Sequence, residues 1–233
     1  VFRFSINEES KGTLQNQAHK HQLLIASAAK RLDFKLVEYK LEELKQLCEA
    51  LRLENLNKIY DSCVSDLGKF LHQQYATATA QIGKCLVEGN VLMETEVKHY
   101  QVCIQNAQLA DRLRDLYLNK EVVVSSQAYV NYLNERIDSM MFRLEERSLD
   151  DLSLKAVLDK AKLLASSFED VEPKYREACT KFLVTFQNTV EESKRLYAQH
   201  SYEESGLVLT KIQKAIALYA NHVEKEDTLK KEY

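Results

Sequence analysis

Apolar positions recur at helical spacing over most of this chain. The plainest run is Leu53, Leu56, Tyr60, Cys63, Leu67, Leu71, Tyr75, Ala78, Ile82 and Leu86. Unbroken steps of three and four place these residues on one stripe of one helix. Upstream, Leu32, Leu36, Leu44, Leu47 and Leu51 extend the stripe less regularly. The pattern predicts continuous helix from about residue 14 to 86. At about 1.5 Å per residue this spans on the order of 100 Å, more than a compact domain holds.

A second helix follows the turn signal Gly89-Asn90, with Val97, Tyr100, Ile104, Ala107, Leu113 and Leu116 on its stripe, and ends near Asn119. The β-branched run Val122-Val123-Val124 reads as a connector. Val130, Leu133, Ile137, Met140, Met141 and Leu144 mark a third helix. Ser148, with Asp151 three residues on, caps a fourth. The single proline, Pro173, has Glu169, Asp170 and Glu172 just before it and Tyr175, Cys179, Phe182 and Phe186 at helical spacing after it. Proline is tolerated in a first turn and carboxylates are favoured there, so Pro173 starts a fifth helix with Asp170 as its cap. Ser166 to Phe168 then form a corner between antiparallel helices. Ser201 with Glu204 has capping-box spacing and opens the last helix, through Ile212, Ile216 and Tyr219. The opening VFRFSIN alternates like a strand but is too short to build a sheet, and Ser5 with Glu8 could cap a helix near Ile6.

The fold class predicted is all-α: an elongated antiparallel helical bundle or coiled coil with long N-terminal helices. It forms one helical region over residues 1–233, with long helices over 12–119 and shorter ones over 126–230. Five glycines and one proline among 233 residues leave little to interrupt helix. Gly68 and Gly83 fall inside the stripe, either where another helix approaches closely or where the helix is weak, and the pattern does not choose between them.

Charge narrows the partners. Lys plus Arg number 32 and Asp plus Glu 35, interleaved, so the basic excess of a nucleic-acid binder is missing. The five cysteines lie far apart and read as buried thiols in a reducing compartment. No apolar run is long enough to cross a bilayer. The N-terminus reads as neither signal nor transit peptide, and without an initial methionine the chain reads as part of a longer protein. These points predict a cytoplasmic protein.

Little here is catalytic. The six histidines form no HExxH and no Glu-x-x-His, and there is no P-loop, GxGxxG or GxSxG. Adjacent carboxylates such as Glu42-Glu43 and Glu203-Glu204 diverge on a helix and read as solvated. Met140-Met141-Phe142 reads as core. No catalytic, cofactor-binding or metal residue is predicted, and no cofactor. The predicted contact with a partner helix is the stripe Leu53, Leu56, Tyr60, Leu67, Leu71, Tyr75, Ile82 and Leu86, with other coiled-coil proteins in a hetero-oligomer as partners.

A resemblance sharpens this reading. NQAHKHQLLIASAAKRLDF, Asn16 to Phe34, resembles the start of the C-terminal helical region of the third-subunit family of the augmin complex, where a Gln-rich, basic turn leads into Leu/Ala-rich helix. LYANHVEKEDTLKKEY, Leu218 to Tyr233, is similar to that family's last helix. The resemblance lies in the two ends of the chain. It implies a subunit of a hetero-octamer that binds spindle microtubules and recruits the γ-tubulin ring complex for microtubule branching, with no catalytic residues. The alternative in another class is a BAR-like helical dimer that binds and curves membranes, against which the missing basic patch counts.

Overall fold

The computed structural model describes residues 7–87, 89–117, 125–142, 152–219 and 222. The regular structure of these residues is entirely helical: α1 Glu8–Lys30, α2 Phe34–Leu51, α3 Glu54–Cys85, α4 Glu94–Tyr117, α5 Ser126–Phe142, α6 Leu152–Ala165, α7 Glu172–Ala198 and α8 Tyr202–Tyr219, with a 3₁₀ turn at Glu169–Val171. An all-α helical bundle is what the periodicity predicts. The strand-like opening, the caps at Ser5 and at Ser148–Asp151, and the connector 122–124 lie outside the described residues.

The predicted helix over 14–86 is three helices. Leu32, with φ of 59°, ends α1, and Asp33 caps α2 by accepting from the Leu36 amide at 3.2 Å. Arg52, with φ of 49°, ends α2 and sends its amide back to the Cys48 carbonyl at 2.8 Å. Both breaks use left-handed non-glycine residues, which carry none of the glycine signal that usually marks a helix end. Asn7 caps α1 at 2.8 Å from the Ser10 amide. Such caps stabilise a helix by about 1 kcal/mol.

The predicted turn at Gly89-Asn90 and the helix start at Pro173 hold. Gly89 has φ of 86°, and the Asn90 side chain donates to the Lys84 carbonyl at 2.7 Å, closing the end of α3. Pro173 stands in the first turn of α7 and kinks nothing. The cap, however, is not Asp170. That residue lies in the 3₁₀ turn, and the residue before α7 is Val171, which makes no side-chain cap. The turn already satisfies amide groups there, the Val171 amide donating to the Phe168 carbonyl at 3.0 Å.

The chain divides into two compact units, Val1–Thr79 with Val102–Tyr129 and Ala80–Gln101 with Val130–Tyr233. In the first, α1 and α2 form an antiparallel hairpin. Ile25, Ala28, Phe34, Val37, Leu41 and Leu44 pack with Leu56, Cys63 and Leu67 of α3 and with Ala110 and Leu113 of α4. Arg112 reaches Glu38 at 2.8 Å, and the Asp111 carboxylate accepts from the Ser126 amide at 3.2 Å and its hydroxyl at 2.6 Å, fastening the start of α5.

In the second unit, α7 and α8 form another antiparallel hairpin, with Phe182, Phe186, Val190, Ile212 and Tyr219 buried. The Phe182 and Tyr219 rings lie 4.4 Å apart, and buried Ser205 donates to the Ser193 carbonyl at 3.0 Å where the helices close on each other. Gln101 donates to the Ser167 carbonyl at 2.7 Å and holds the corner between α6 and α7. Gly83 is a close approach, because a Cβ there would overlap the Tyr132 hydroxyl. Of the two readings left open by the pattern, this one applies at Gly83.

Candidate functional site

The predicted partner stripe lies inside the chain. Leu56, Leu67, Leu71, Ile82 and Leu86 are buried, and Leu53, Tyr60 and Tyr75 are half-buried. From Leu53 to Leu71 they pack into the core of the first unit. Tyr75 meets Tyr129 edge to face, ring centres 5.0 Å apart at 89°. From Leu53 to Leu71, side chains of other helices in the same chain cover the stripe. Periodicity reports that a stripe is buried, and it carries no signal about whose helix covers it.

Large apolar side chains remain outside elsewhere. On α1, Leu23 and Leu24 are exposed, Leu23 by 71%, and Tyr39 is exposed on α2. His21 stands opposite Glu43 at 3.5 Å, and this register puts Leu23 and Leu24 level with Tyr39 to Leu41 across the hairpin. The Glu43 carboxylate beside Tyr39 makes the Tyr39 hydroxyl hold its proton more tightly, while Lys40, 2.7 Å away, holds the Glu43 carboxyl below its ordinary range. In the second unit, Val87, Val91 and Met93 are exposed around the α3–α4 turn, with Val91 at 76%. At the tip of the α7–α8 hairpin, Tyr197 and Tyr202 pack ring to edge at 5.2 Å, with Leu207 and Leu209 exposed further along α8. Isolated exposed apolar residues are ordinary, whereas groups of them mark contact surfaces.

Several chemistry-bearing groups are buried or hydrogen-bonded within the fold. All five cysteines are thiols. Cys48 and Cys63 are buried and the other three half-buried, and desolvation raises the Cys63 thiol to about 12. Tyr60, beside a shallow cavity of about 640 Å³ lined by Lys45, Cys48, Glu49, Arg52 and Asn57, is likewise raised by burial to about 12. Buried Lys160 donates to the Val87 carbonyl at 2.8 Å. Among the described residues, no group of three or more His, Cys, Asp or Glu could hold a metal ion, and no helix is long and apolar enough to cross a membrane.

One polar cluster was invisible to sequence reading. His222, its side chain 1% exposed, places Nε2 at 2.7 Å from Asp159 Oδ1 of α6 and Nδ1 at 3.0 Å from the Tyr175 hydroxyl of α7. These residues are 63 and 47 positions from His222, so no local motif could announce them.

Comparison with protein-family models, curated proteins and solved structures finds no match for this chain.

Proposed function

We propose that the chain is a non-enzymatic helical scaffold that joins other coiled-coil proteins in a hetero-oligomeric cytoskeletal assembly. The observation that supports this is the division of its apolar surface. The long stripe closes the chain's own core, while Leu23, Leu24 and Tyr39 stay in solvent on one hairpin. A bundle that satisfies its own interior and still exposes large apolar groups can bind neighbours without unfolding.

The sharper form of the proposal is an augmin-like subunit, carried by the resemblance at Asn16–Phe34 and Leu218–Tyr233. The first of these stretches contains Leu23 and Leu24. Capture of the full-length protein from dividing cells, with mass spectrometry of its companions, tests both levels. A Leu23→Glu/Leu24→Glu variant with an unchanged melting temperature should lose the companions. Full retention by that folded variant overturns the docking face. Companions without γ-tubulin, and no pelleting with microtubules, reject the augmin-like form and leave the scaffold.

A further inference from the structure

Among the described residues, His222 is the one buried histidine, and its two ring nitrogens meet different partners. The Asp159 carboxylate can only accept when ionised, so Nε2 carries the proton and donates to it. Nδ1 of the neutral ring is then an acceptor, and the Tyr175 hydroxyl donates to it. The result is an ordered chain, Tyr175 to His222 to Asp159, that ties the residue beyond α8 to both α6 and α7. The Tyr175 and His222 rings also meet at 6.1 Å.

We infer that this chain is an acid-released clasp: closed while His222 is neutral and weakened when the ring takes a second proton. Protonation turns Nδ1 into a donor, so the Tyr175 hydroxyl must reverse its direction and become an acceptor. It also places a cation in a site closed to water. The facing groups are Asp159, Lys155 and Lys162 from α6 and Tyr175 from α7. Asp159 favours the cation, but its carboxylate is already engaged by Lys155 at 2.6 Å and is half exposed. Burial, aided by the two lysines, prevails and lowers the His222 pKa from 6.5.

The sign follows. Since the folded form prefers the neutral ring, the clasp contributes fully above about pH 6.5 and its contribution is lost as pH falls below that value. Asp159 is separate. Burial opposes its charge, but the hydrogen bonds from Lys155 and His222 outweigh burial and lower it from 3.8, so its contribution is lost only in stronger acid.

The inference does not rest on the scaffold reading. Its test is the ring-carbon NMR titration of every histidine from about pH 8 to about pH 5, beside urea unfolding over the same range. His222 should titrate below the ordinary histidine value of 6.5, and Tyr175→Phe should move it up toward that value. The folded protein should lose stability toward pH 5 more steeply than a His222→Gln variant. A His222 titration at or above 6.5, or one that Tyr175→Phe leaves in place, overturns the clasp, as do superimposable stability profiles. Should His222→Gln fail to fold, the titrations of the wild type and of Tyr175→Phe decide alone.

Discussion

The unit containing α1, α2 and most of α3 is filled mainly with Leu, Ile, Val and Ala side chains, with Phe34, Tyr129, Thr79 and two thiols among them, whereas the unit containing α6 to α8 sets more aromatic rings, Tyr100, Phe168, Phe182, Phe186 and Tyr219, among its aliphatic side chains, beside Lys160, Ser193, Ser205 and His222. An aliphatic interior depends on area removed from water and is indifferent to pH. An interior with embedded polar groups depends on each of them keeping its partner, because one left unsatisfied costs about 1–3 kcal/mol. The first unit should therefore respond to lost volume, and the second to lost volume and to lost hydrogen bonds alike.

The strongest break of this comparison is in the cores. Phe186→Ala in the second unit should lower stability by about 3–5 kcal/mol, and Leu41→Ala in the first by about 2–5 kcal/mol, both read by urea unfolding. A loss below about 1 kcal/mol for either would mean that its site is not packed. The dryness of the first unit can be read directly at Cys63. A thiol raised to about 12 from 9.0 holds about a thousandfold less thiolate than an ordinary cysteine. Native-state alkylation near pH 8, followed by mass spectrometry, should therefore spare Cys63 while modifying half-buried Cys85 of the second unit.

Glycines sharpen the contrast. Gly83→Ala should cost about 1–3 kcal/mol, because the added methyl meets the Tyr132 hydroxyl, itself bound by Arg136 Nε at 3.0 Å. Tyr132→Phe in the same chain should recover much of that loss, and a double-mutant cycle measures the recovery. Gly12→Ala in α1, with open space around it, should instead stabilise by about 0.5–1 kcal/mol. The smallest effect belongs to Lys58→Ala. It removes the well-exposed pair with Glu54 and should change thermal stability by less than about 0.5 kcal/mol.

Helix class and most helix positions were legible because helices repeat their burial every three or four residues. The turn at Gly89 and the start at Pro173 were legible because each residue has a specific backbone tendency. The breaks at Leu32 and Arg52 were not, since leucine and arginine are good helix formers that here take left-handed conformations. Asp33, a helix cap followed by Phe34 and Val37, was the signal that could have located the first break. What covers the long stripe was not legible for a different reason. Leu67 and Leu71 looked like a face for a partner, yet side chains far away in sequence cover them, and the exposed Leu23 and Leu24 sit in an unremarkable Leu/Ala run. Tyr175, Asp159 and His222 meet only through the fold.

The elbow between α2 and α3 consists of Arg52 and Leu53 alone. It has no slack to absorb a change in chain length. A single inserted residue would turn α3 by about 100° about its axis, carrying Leu56, Cys63 and Leu67 away from Phe34 and Leu44. Substitutions at this elbow can be accommodated, but additions or deletions cannot. Relatives of this chain, compared across species, should vary in residue type here while keeping the number of residues constant.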